Sequence, residues 1–234
     1  MKKDLIINGT GDYPGGNYHK ISIRGEGTIL DDVESLVFKV YGTSEVLKSV
    51  KAGSVKILGE AETKGRMEVN DMLVMGSLAI GENAHLKKVK VMGTLDIAGE
   101  LSGETATILG SISVGGDAEF DTFSSSGGFE IKGLLNADTI NIGLRFAESS
   151  ADEIGGGKIT VKKKRNSLLP FKGSEGSLRA KVIEGDEVSL ENTKADVVRG
   201  NKVKIGQGCE IGLVEFRSEL SEDKNARIKV SKKI

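Results

Sequence analysis

Proline is nearly missing from this chain, with two in 234 residues, and there is one cysteine, no tryptophan and an aromatic content of 4%. Few prolines means few backbone positions that cannot donate to a β-ladder, and it argues against reading the 32 glycines as a disordered, low-complexity segment. The lone Cys209 excludes an internal disulfide framework and fits a reducing compartment. In Gly208-Cys209-Glu210-Ile211 it reads as a small buried apolar residue of a strand. Scarce aromatics argue against a surface that stacks sugars or bases. Lysine and arginine number 33 against 34 acids, a net charge of −1, so no global field draws the chain to nucleic acid, and none is expected as a partner.

Other signals are also missing. His19 and His85 share no motif with cysteines or acids, which leaves no pattern for a metal centre or a histidine base. No glycine cluster precedes a helix opening on Lys-Ser/Thr, so no phosphate loop is evident and no cofactor is expected. The apolar run Leu5-Ile6-Ile7 is too short for a signal peptide or a membrane span. The expectation is a cytoplasmic protein, with room for peripheral contact at the inner face of a membrane through that short segment.

What the sequence has is a glycine ladder. Gly25, Gly42, Gly59, Gly76, Gly93, Gly110 and Gly127 recur every 17 residues. Two residues before them stand Ile23, Val40, Ile57, Val74, Val91, Ile108 and Ser125, and four after them Ile29, Val46, Thr63, Ile80, Ile97, Val114 and Ile131. The apolar columns fall at even offsets and most odd offsets are polar, the period of strands buried on one face. Seventeen residues hold about three short strands, none able to bury its apolar face alone, so successive units must stack in parallel register at roughly 4.8 Å per coil. The predicted fold is all-β, a right-handed parallel β-helix with three short strands per coil. The recurring glycine marks either a positive φ or a close backbone approach.

Along the chain, residues 1–20 read as a lead-in whose Asp12-Tyr13-Pro14-Gly15-Gly16-Asn17 is turn chemistry. The β-helix is expected over 21–161, its register weakening through Ile140, Ile142 and Phe146, with Leu144 where a glycine is due and a loop at Glu148 to Gly157. Residues 162–180, opening on Lys162-Lys163-Lys164-Arg165, form a basic, then Gly/Ser-rich loop or linker. Residues 181–216 carry further coils on a 15-residue spacing, as in Val188 with Val203 and Leu190 with Ile205, and 217–234 form a charged tail.

A catalytic β-helix would stack polar residues in one outward column. The columns one and three after the glycine hold hydroxyls and acids, Glu60 and Glu62 among them, and read as a solvated face. The column immediately before the glycine breaks the inside-outside rule: Arg24, then Tyr41, Leu58, Met75, Met92 and Leu109. Two readings stand open. These residues point outward as a lateral apolar stripe, or form a groove covered by the lead-in; alternatively the corner bulges and tucks them inside.

The repeat Val89-Lys90-Val91-Met92-Gly93-Thr94-Leu95-Asp96-Ile97 and its copies, over residues 20–161, resemble the bactofilin family of polymer-forming bacterial cytoskeletal proteins. The later Val182-Ile183-Glu184-Gly185-Asp186 and Val197-Val198-Arg199-Gly200 look like the C-terminal part of longer Firmicute-type members. The resemblance implies nucleotide-independent self-assembly, end-to-end contacts, frequent membrane association through a short N-terminal segment, and scaffolding of cell-shape, envelope or motility machinery. Solenoid physics points the same way, because each end exposes unpaired backbone groups and an open core. Ile21, Ile23 and Ile29 at one end, and Val203, Ile205, Val214 and Phe216 at the other, are the expected end contacts. The expected role is structural rather than enzymatic, with other copies of the chain as partner and client proteins possible. The alternatives are a monomeric adaptor that binds a partner through the stripe, and a carbohydrate-binding or lyase-type β-helix.

Overall fold

The computed structural model describes residues 2–145, 147–164 and 176–234, and the chain divides into two compact units, Met1–Gly116 and Asp117–Ile234. Among the described residues all regular structure is β, in parallel coils stacked about 17 residues apart, a β-solenoid.

One coil of the first unit shows how the sequence makes the turn. Val33–Val40 and Thr43–Val46 are strands, but the first is bent. Val33 and Ser35 point in, and so do Phe38 and Val40; between them the alternation slips by one at Leu36, which is exposed and missing from the register that joins Ser35 to Ala52 and Val37 to Ser54. A slip of one residue reverses the side-chain direction, so the chain turns a corner there without leaving the ladder. Farther along, the two halves separate into Leu101–Ser102 and Thr105–Ile108. Each coil thus has three short faces, as the repeat predicts.

Equivalent residues pair from coil to coil, as Val33 with Val50, Val50 with Met67, Met67 with Ala84 and Ala84 with Leu101. The column Ile23, Val40, Ile57, Val74, Val91, Ile108 is fully buried and forms one continuous aliphatic stack. Burying each such side chain is worth about 1.5–3 kcal/mol. The core therefore grows by an equal increment per coil.

The ladder glycines answer the conformational question. Positive φ among glycines occurs at Gly16 and Gly208, not at the ladder positions. A Cβ added at Gly42, Gly59, Gly76, Gly93 or Gly110 would instead lie under 3.0 Å from the carbonyl oxygen of the glycine one coil earlier, and backbone cannot move aside. The column is glycine because consecutive corners nest on each other.

The expected boundaries move at both ends. Residues 1–20 are no separate lead-in: Lys3 pairs with Tyr18 and Asp4 to Ile7 with Lys20 to Ile23, Thr10–Tyr13 pairs with Glu26–Ile29, and the two form the first coil. The charged tail is likewise a coil edge, since Arg227–Lys233 pairs with Glu210 to Phe216. Glu148 to Gly157 is no loop but part of the strand Glu148–Lys163. Leu144 is buried at the end of Gly128–Leu144. In the second unit the register offset varies: Leu135 pairs with Ile154, Leu178 with Thr193 and Lys202 with Glu219. Phe146 and most of the expected linker, 165–175, lie outside the described residues.

Candidate interaction surfaces

The anomalous column points outward. Tyr41 is 46% exposed, Leu58 36%, Met75 46%, Met92 47% and Leu109 46%. They stand on consecutive corners, and the backbone fixes them there: the N–H groups of Leu58 and Gly59 both donate to the Val40 carbonyl, at 2.8 and 3.4 Å, and those of Met75 and Gly76 to Ile57, at 2.8 and 3.2 Å. With two successive N–H groups turned to one acceptor, the side chain preceding the glycine is thrust off the corner. The result is an apolar ridge spanning four coil spacings, about 19 Å. It is not covered by the first residues, which are committed to their own coil.

The ridge separates two faces of opposite charge. The outward side chains two and four residues before the column positions from Arg24 to Leu109 include Lys20, Lys39, Lys56, Lys88 and Lys90, against one acid, Asp71. Those two and four residues after it include Glu26, Glu45, Glu60, Glu62 and Asp96, with no base. Lys56-Ile57-Leu58-Gly59-Glu60-Ala61-Glu62 crosses the corner from one sign to the other. Lys39 stacks on Lys56 and Glu45 on Glu62 in ladder register, so like charges sit on neighbouring rungs. At the far edge of the acidic face Lys64 bonds Glu62 and, at 3.3 Å, Glu45, and these contacts raise the lysine's pKa above its ordinary value, Glu62 first. Glu62 is thus held by an ammonium rather than free for a cation.

The expected end contacts prove to be one coil inside the ends. Ile21 pairs with Leu5 and Ile23 with Ile7, and Ile21, Ile23 and Ile29 are completely buried. At the other end Val203 pairs with Leu220, Ile205 with Glu222, Val214 with Ser231 and Phe216 with Lys233. The physical reason is that the terminal segments complete coils of their own. Among the described residues the free edges are those of Lys3–Ile7 and Thr10–Tyr13 at one terminus, and of residues 219–222 and then Arg227–Lys233 at the other. They differ in character. The first carries Leu5-Ile6-Ile7 with Ile6 exposed; the second ends on Arg-Ile-Lys-Val-Ser-Lys-Lys, and lysines are a common guard of an exposed edge.

The remaining features offer little chemistry. A groove of about 550 Å³ in the second unit runs along the paired glycines Gly156, Gly185 and Gly200, but Arg199 within it is already bound to Glu215 at 2.7 Å and Glu184 at 3.6 Å. His19 contacts Asp4 and His85 contacts Ser102, each on the surface. Cys209 is buried, and desolvation pushes its thiol pKa up, the opposite of an activated nucleophile. Among the described residues no group of three His, Cys, Asp or Glu side chains is placed to hold a metal ion, and no helix is long and apolar enough to cross a membrane.

The charge division across the ridge was missed by reading columns for catalytic residues alone. Tallying the sign of the outward positions before the glycine, as well as after it, would have found it. No family model matches the chain and no solved structure matches it. Two proteins of Bacillus subtilis (strain 168) do match almost end to end: uncharacterized protein YhbF, 54% identical over 231 residues, 99% of this chain and 97% of YhbF, and uncharacterized protein YhbE, 60% identical over 232 residues, 98% of each. At that identity and coverage, this chain belongs to the family of YhbF and YhbE.

Proposed function

We propose that this protein is a nucleotide-independent, self-assembling structural scaffold of the bactofilin kind, which organises cell-shape, envelope or motility machinery and takes other copies of itself as its first partner. The observation that carries this reading is the open terminal coil. Lys3–Ile7 and Thr10–Tyr13 are hydrogen-bonded on one side only, with no helix among the described residues to cover them. Unpaired edge groups of this type are satisfied by water or by another strand, and the run Leu5-Ile6-Ile7 on this edge favours the strand. The repeat resemblance supports the same role, and the partial exposure of Ile6 leaves peripheral membrane contact within it.

The test is negative-stain microscopy and light scattering of the pure protein without nucleotide over a range of salt. Filaments or large oligomers are expected. A monodisperse monomer under all conditions would overturn the reading and favour the second one, a monomeric adaptor whose exposed ridge binds a client protein.

A further inference from the structure

The ridge and its flanks specify more than a greasy surface. Elsewhere on this protein several outward charges pair from coil to coil: Lys48 with Asp31, Lys51 with Glu68, Lys158 with Glu187, Lys181 with Asp152 and Arg227 with Glu210, all between 2.9 and 3.2 Å. Beside the ridge Glu45 and Glu62 share Lys64, but among the described residues the other charges stand unpaired. Lys39, Lys56, Lys88 and Lys90 on one side, and Glu26, Glu60 and Asp96 on the other, make no ion pair within the described chain. Like charges on directly opposed rungs are destabilising, a cost that counter-charge brought from outside would relieve.

A second copy brings that charge in only one orientation. Let two ridges meet edge to edge. If the copies run parallel, related by a two-fold axis along the coil axis, the basic face of each lies beside the acidic face of the other on both sides of the seam. If they run antiparallel, basic faces basic and acidic faces acidic. Apolar contact alone does not distinguish the two; the charges do, as complementarity commonly fixes register and rejects wrong pairings.

We propose that this protein pairs laterally with a second copy of itself, parallel and in register, through the ridge Tyr41, Leu58, Met75, Met92 and Leu109, with Lys39, Lys56 and Lys90 of each copy set against Glu60 and Asp96 of the other. The proposal rests on the self-assembly reading but uses a different surface from the coil ends. The seam is isologous, each ridge residue meeting its own counterpart.

Site-specific cross-linking tests this. Cys209 is buried and leaves introduced thiols as the reactive ones. With a short bis-thiol reagent, Leu58→Cys alone is expected to give covalent dimers, and Leu109→Cys likewise, while a mixture of Leu58→Cys and Met92→Cys gives no excess of the mixed product. A mixed product without self-linked dimers means antiparallel pairing and overturns the proposal, as does the absence of any dimer. Charge reversal supplies an independent arm. Lys39→Glu/Lys56→Glu/Lys90→Glu and Glu60→Lys/Asp96→Lys should each lose the dimer, and mixing the two variants should restore it, because every seam then joins opposite signs again. Failure of the mixture to restore pairing, with both variants folded by circular dichroism, overturns the proposal. So does sedimentation with phosphatidylglycerol vesicles that is lost on Met75→Glu while copies stay unlinked, since the ridge then belongs to lipid. Microscopy separates the two readings: single filaments that never pair leave end assembly standing and remove the lateral seam, whereas cross-linked dimers without filaments do the reverse.

Discussion

The first unit, Met1–Gly116, and the second, Asp117–Ile234, solve one packing problem by different means. The first repeats itself: the same glycine corner, the same aliphatic column and the same offset in every coil from Gly25 to Gly110. The second varies its offset and fills its interior with whatever fits, including Phe120, Phe123 and Phe129, whose rings lie 6.1 and 5.5 Å apart, the latter edge to face. Both units pair coils by ion pairs, as Lys51 with Glu68 in the first and Lys181 with Asp152 in the second, but the first also carries the basic and acidic flanks of the ridge. Regularity makes a long uniform surface, and variation breaks it up.

Substitutions can break this contrast. The largest effect is expected from Phe123→Ala in the second unit, where a fully buried ring between two others is lost: about 3–5 kcal/mol, read by chemical denaturation. A loss below about 1 kcal/mol would mean that the irregular unit collapses around the hole. Next comes Gly76→Ala in the ladder, which sets a methyl group against the Gly59 carbonyl and should cost about 1–3 kcal/mol. Gly9→Ala, with open space beside it, should cost little, and equal costs at the two sites would refute the nesting of corners. Ser44→Ala is expected to stabilise by roughly 1 kcal/mol, seen as a higher Tm, because its buried hydroxyl has no hydrogen-bond partner. The smallest effect belongs to Arg179→Ala, whose exposed pair with Glu148 is worth about 0.2–1 kcal/mol at low salt and should fade at high salt.

The same contrast explains what could be read from the chain. The glycine column and the alternation between Ile23 and Ile29 or Val91 and Ile97 carry the three-sided coil openly, because each rung repeats the evidence of the last. The terminal coils did not announce themselves. Pro14-Gly15 reads as a turn, yet Tyr13 stands in the column of Ile29, and the strand Arg227–Lys233 reads as a tail because four of its seven residues are basic, as suits an edge. Glu148 to Gly157 fails for a related reason: its glycines mimic a loop, while Gly156 is tucked against the Ala137 carbonyl inside a strand. Of the surfaces, the ridge was visible as an anomaly, but only the corner hydrogen bonds decide that it faces out.

The nested glycine corners also bear on mechanics. Each rung of the first unit is gripped by the rung before it and grips the one after, and by little else. Tension applied to a chain end would therefore peel this unit one coil at a time, each release paying out 17 residues, about 60 Å of extended chain. Such a unit would yield in small, equal increments under load, in the manner of a ratcheted fibre.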